Sequence, residues 1–84
     1  MWEVTLMPEA RKDLARIDKD AAIQMVKKLE QIAAEEQPRI EKVVGKPYYK
    51  IRAGDYRALV LLDYKKKEIE VHTIDHRKRI YKNL

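Results

Sequence analysis

The sequence predicts an α+β domain in which an N-terminal strand, a helical hairpin and a three-stranded antiparallel meander form one twisted sheet. The helices cover one face of that sheet, and a short C-terminal helix or tail follows. Two observations predict this order. The apolar period is two at the N-terminus, becomes three and four between Pro8 and Gln37, and returns to two from Tyr48 onward. Turn residues punctuate the same boundaries, at Pro38 and at Ala53-Gly54-Asp55. With 84 residues the chain reads as one domain, 1–84, without internal repeat, low-complexity segment or linker. Such a small domain buries only roughly 60–65% of its unfolded surface, so each large apolar residue counts.

Residues 2–6 set Trp2, Val4 and Leu6 against Glu3 and Thr5, the alternation of a strand with one buried face. Pro8 suits the first turn of a helix that ends near Asp18, with Ala10, Leu14 and Ile17 on its inner side. A second helix is predicted from Asp20, whose side chain caps it, to about Gln37, before Pro38. Ala22, Met25, Val26, Leu29, Ile32 and Ala33 make its apolar stripe, while Lys27, Lys28, Glu30 and Glu35 face water. So short a connection folds the two helices into an antiparallel hairpin.

Strands are expected near 48–53, 56–63 and 67–74, divided by Ala53-Gly54-Asp55 and by Tyr64-Lys65-Lys66-Lys67. In the middle strand Tyr56, Ala58, Val60 and Leu62 share one face, and Arg57, Leu59, Leu61 and Asp63 share the other. Both faces carry apolar residues, so this strand is central and partly covered on both sides.

Nineteen Lys and Arg against fourteen Asp and Glu give a net charge of +5, which favours a polyanionic or acidic partner. No cysteine is present, so neither disulfides nor thiolate-bound metal contribute, as suits a reducing cytoplasm. The first residues lack a signal-peptide pattern, and no apolar run approaches the roughly 20 residues that span a bilayer. A cytoplasmic protein without a membrane partner is expected. His72 and His76 have no third ligand at a convincing spacing, and no Gly-rich phosphate loop or Ser-His-Asp set is present. Neither metal nor small-molecule cofactor is therefore expected.

Lys50 and Arg52 lie two apart on one strand and project from one face; Arg57, across the turn at Gly54-Asp55, joins them if the register allows. The alternative is a solvated polar face, and for Arg57 an internal salt bridge to Asp55 or Asp63. Histidine can act as acid or base as a class, so His76 reads as acid, base, phosphate contact or ordinary surface residue. Tyr81, near Arg77, Lys78 and Arg79, is either a proton-transfer group or an amphipathic anchor for the tail.

The segment Lys46-Pro47-Tyr48-Tyr49-Lys50-Ile51-Arg52-Ala53-Gly54-Asp55-Tyr56-Arg57, with His76-Arg77-Lys78-Arg79-Ile80-Tyr81 after two strands, resembles the RelE branch of the RelE/ParE toxin superfamily. The resemblance covers nearly the whole chain. It implies the toxin of a type II toxin–antitoxin system, a ribosome-dependent endoribonuclease that cuts messenger RNA in the A site without metal. Its partners would be a cognate antitoxin, messenger RNA on the ribosome and ribosomal RNA. Carried over by position, Lys50 and Arg52 match the paired basic residues near the scissile phosphate. Arg57 matches the transition-state arginine, Arg77 the late arginine and Tyr81 the terminal tyrosine, with Lys50 or Tyr81 as base. Lys46, His76, Lys78 and Arg79 would bind RNA. Only three residues separate Arg77 from Tyr81, fewer than in some active relatives. Two other readings share the fold: a ParE-like gyrase poison, and a catalytically weak member that only binds its antitoxin.

Overall fold

The computed structural model describes residues 1–83. It contains β1 (Glu3–Leu6), α1 (Pro8–Arg16), α2 (Lys19–Ala33), β2 (Glu41–Lys42), β3 (Tyr49–Ala53), β4 (Tyr56–Asp63), β5 (Glu68–His76) and a terminal 3₁₀ turn, Ile80–Asn83. The strands form one sheet in the order β1-β5-β4-β3-β2. β1 runs parallel to β5, and the remaining neighbours are antiparallel. The α+β class, the helical hairpin and the C-terminal meander are as the sequence predicts. β2 was not anticipated: its two residues pair with Tyr49 and Lys50 and carry too little pattern to read.

The helices differ from expectation at their ends. Asp18, not Asp20, caps α2: its Oδ2 accepts from the amides of Asp20 at 3.1 Å and Ala21 at 3.3 Å. Asp20 instead sits in the first turn, where its charge complements the helix dipole. α2 also stops at Ala33, short of Gln37. The Trp2 amide takes the Ala33 carbonyl at 2.8 Å, and the Trp2 indole takes that of Glu36 at 3.1 Å. Those carbonyls bind β1 to the end of the hairpin, and Pro38 disfavours helical geometry at Gln37.

Ala10, Met25, Leu29, Ile32 and Ala33 pack with Ile51, Ala53, Ala58, Val60, Ile69, Val71 and Ile74 into the main core, which Trp2 closes at one end. Leu14, Ile17, Val4 and Leu6 border it as predicted, but Val26 remains 38% exposed beside Ile23 on the outer side of α2. The apolar stripe is thus narrower than its periodicity suggests. The opposite sheet face buries Leu59, and Ile80 of the terminal turn is fully buried outside the main core.

Two local devices set the meander. Between Leu59 and Val60 the β4–β5 register slips from Thr73 to Val71, which leaves His72 as a bulge residue and lets β5 run on to His76. At the β3–β4 turn Gly54 has φ +60°, where an added Cβ would meet Gln24 Oε1 at 2.8 Å. The side chain of Gln24 can swing away, so the backbone strain dominates. Gly54→Ala is expected to cost about 1–2 kcal/mol in urea unfolding, and Gly54→Asn less.

Candidate active site

Pairing across β3 and β4 assembles the cations. Lys50 stands opposite Leu59, and Arg52 stands opposite Arg57, so all three basic side chains leave the sheet on the face away from the helices. Two arginines directly opposed repel each other, a cost the fold would avoid without another use for them. Among the described residues neither has a carboxylate within 4.0 Å. Asp55 and Asp63, the partners considered from sequence for Arg57, are engaged elsewhere: Asp55 lies 3.9 Å from Arg77, and Asp63 accepts the Lys65 and Lys66 amides.

Arg57 is half-buried, and one terminal nitrogen donates to the carbonyls of Gly54 at 2.9 Å and Tyr56 at 3.0 Å. Those bonds hold the guanidinium while leaving its Nε and second terminal nitrogen for an anion. Lys50 is fixed differently. Its Nζ lies 3.1 Å from Glu41 Oε2 on β2 and 5.4 Å from the centroid of the Tyr81 ring. Glu41 first, and the Tyr81 phenol to a smaller degree, hold Lys50 above the ordinary lysine pKa, against an opposing effect of burial.

This pair has a definite pH sign. The folded pKa is the raised one, so the stability it contributes is complete below the unfolded lysine value and is lost as pH rises through the folded value. Nitrogen-detected NMR should place the Lys50 midpoint above the ordinary lysine value, and Glu41→Gln should lower it. An unmoved midpoint in that variant would exclude Glu41 as the main cause.

The late segment reaches the same region through the turn. The Arg77 amide donates to the Asp55 carbonyl at 2.8 Å, and the 3₁₀ turn then carries Tyr81 over Lys50. Tyr81 remains 42% exposed. Lys50, Arg52, Arg57 and Tyr81 are thereby brought together, while the Arg77 guanidinium lies by the β3–β4 turn, 3.9 Å from Asp55. Others of the anticipated residues lie apart. His76 pairs across the strands with Tyr56, on the helix side, and the two rings meet edge-on at 5.6 Å. Arg79 binds Asp75 at 3.3 Å and lines a cavity of about 360 Å³ with Asp13, Arg16 and Asp18. Lys46 sits in the β2–β3 loop, its amide on the Val43 carbonyl, and Lys78 is exposed with its amide on His76 Nδ1.

Sequence reading missed Glu41, and weighed His72 only as a metal ligand. Glu41 meets Lys50 only through the short edge strand β2. His72 lies 3.2 Å from Glu70 and edge-on to the Tyr48 ring at 5.8 Å. Among the described residues no group of three His, Cys, Asp or Glu side chains could hold a metal ion, and no helix is long and apolar enough to cross a membrane. Chemically, the face offers a fixed guanidinium, a second guanidinium, an ammonium and a phenol. Such a set neutralises a phosphate and steadies the extra charge of a five-coordinate intermediate.

A family model described as "ParE toxin of type II toxin-antitoxin system, parDE" matches residues 4–81. The chain belongs to the RelE/ParE toxin superfamily. Within it the structural likeness falls on the RelE branch. The toxin of the intact E. coli RelBE toxin–antitoxin complex is 26% identical, with a TM-score of 0.77 over 90% of this chain and 96% of that one. A double mutant of E. coli RelE in the free state is 25% identical, with a TM-score of 0.79 over 95% and 87%. The archaeal RelE–RelB complex of Pyrococcus horikoshii shares the fold at 24% identity, with a TM-score of 0.76 over 93% and 97%. No curated protein sequence matches the chain. This RelE-like protein is accordingly a toxin of a type II toxin–antitoxin system.

Proposed function

We propose that this RelE-like toxin is a metal-independent endoribonuclease that cuts messenger RNA in the ribosomal A site and so inhibits translation. The observation that carries the reading is the Arg52–Arg57 pair, opposed across two strands without carboxylate partners among the described residues, beside Lys50 and Tyr81. In the reaction the ribose 2'-oxygen loses its proton and bonds to the adjacent phosphorus. The 5'-oxygen of the next nucleotide leaves and takes up a proton, so the products are a 2',3'-cyclic phosphate and a free 5'-hydroxyl. Arg57 makes paired hydrogen bonds to the phosphorane oxygens, and Arg52 and Arg77 neutralise the neighbouring charge. Lys50, held protonated by Glu41, acts as a cation rather than as the base. The Tyr81 hydroxyl is then the remaining proton-exchanging group of the cluster.

The partner in the resting cell is a cognate antitoxin, by analogy with the E. coli and Pyrococcus horikoshii RelE toxins, whose structures include one. Covering the basic face would hide the charges RNA needs. The toxin works where ribosomes are, in the cytoplasm, with message and ribosomal RNA as its nucleic-acid partners. Primer extension on translated message with purified ribosomes tests the reading: discrete cuts within codons are expected, and their absence would sink it. A second reading follows from the matched family, the ParE toxins. Gyrase poisoning would appear as inhibited supercoiling in a purified assay, and an inert result there removes it.

A further inference from the structure

The cation face of the free toxin already holds one anion. Glu41 Oε2 lies 3.1 Å from Lys50 Nζ, while its side chain remains 59% exposed and so is not locked by the core. Its strand has two residues and pairs only with Tyr49 and Lys50. We propose that Glu41 is a displaceable internal stand-in for an RNA phosphate, holding Lys50 beside Tyr81 until a phosphodiester takes the ammonium from it. Glu41 is therefore a positioning residue that acts through Lys50, and this role rests on the endoribonuclease reading above.

The physical case has three parts. Carboxylate and phosphate oxygens are interchangeable acceptors for an ammonium, so one can replace the other without moving Lys50 far. A partly exposed ion pair is weakly held, which makes the exchange easy; a buried pair would lock the site. Glu41 and Lys50 also border a cavity of about 420 Å³ at the β2–β3 edge of the sheet, which Lys28, Ile32, Glu35 and Arg39 line from the end of α2 and the segment after it, so a displaced Glu41 has room beside the cation face. Displaced from Lys50, the Glu41 carboxylate has Arg39 and Lys28 along the same wall to offset its charge.

Glu41→Gln keeps the side-chain size at an exposed position. Fluorescence anisotropy with a short single-stranded RNA, over a salt series, compares wild type, Glu41→Gln, Lys50→Ala and the double variant. Glu41→Gln is expected to bind roughly threefold to tenfold tighter at low salt, with the gain shrinking as salt screens the charge that was removed. In the Lys50→Ala background the gain should vanish, because the exchange acts through that ammonium. A gain of equal size without Lys50, or no gain in the single variant, overturns the proposal. Arg57→Ala in the same assay separates the two ideas. If neither Lys50→Ala nor Arg57→Ala weakens RNA binding, the endoribonuclease reading of this face falls with the proposal. If both weaken it while Glu41→Gln does nothing, only the role of Glu41 falls.

Discussion

Replacing Arg57 by alanine should lower cleavage of ribosome-bound message by roughly 10²- to 10³-fold, the usual effect of deleting one donor aimed at a developing oxyanion. The fold should survive. The substitution removes two hydrogen bonds from one guanidinium nitrogen, to Gly54 and Tyr56, at a net cost of about 1 kcal/mol. It also relieves the repulsion from Arg52 directly opposite, which offsets part of that cost. Melting within a few degrees of wild type together with a collapse in primer-extension signal is the expected pattern. Arg57→Lys keeps the charge but loses the planar fork, and it should restore only part of the rate. Equal cutting by wild type and Arg57→Ala would show that the guanidinium has no part in the chemistry.

The largest stability effect is expected far from that face, at Asp13. Its carboxylate is only 4% exposed. Oδ2 accepts from the Ile74 amide at 2.8 Å and the Thr73 hydroxyl at 2.9 Å, while Oδ1 binds Arg16. The topology explains the need. β1 ends at Leu6 opposite Val71, so the amide of Ile74, farther along β5, has no strand on that side. An aspartate from α1 takes the place of the missing strand. Asp13→Ala leaves a buried N–H and a hydroxyl without an acceptor, at roughly 1–3 kcal/mol each, and a total near 3 kcal/mol is expected. For a domain this size that lowers the melting temperature by roughly 12–24 °C. Asp13→Asn retains one acceptor oxygen and should fall between the two. Urea unfolding checks the order, and an unchanged midpoint for Asp13→Ala would refute the strand-replacement role. At low temperature the folded fraction of Asp13→Ala should still cut RNA, because Asp13 does not belong to the cation face.

Much of this could be read in one dimension. Trp2, Val4 and Leu6 announce a strand, and Ala10, Leu14 and Ile17 a helix, because each pattern depends only on neighbours two to four positions away. Lys50 and Arg52 had to share a face once they stood on one strand. The ends of α2 were misread because they depend on distant partners: Asp18 captures the first turn, and Trp2 draws off the carbonyls at the last. Val26 misled for a related reason, since its helical spacing matched Leu29 while the sheet beneath covers a narrower strip. His76 was grouped with Arg77 by adjacency, yet strand alternation sends it to the side of Tyr56.

By itself, then, the sequence determined the α+β order and the basic character of the chain, which rest on local period and residue chemistry, while the family resemblance singled out Lys50, Arg52, Arg57, Arg77 and Tyr81. Only the tertiary structure decided which of them meet. Register across the Gly54 turn set Arg57 against Arg52, the terminal turn laid Tyr81 over Lys50, and a two-residue edge strand delivered Glu41. Those contacts join residues far apart in the chain through backbone pairing. A shift of one position in that pairing would have sent the same side chains to opposite faces.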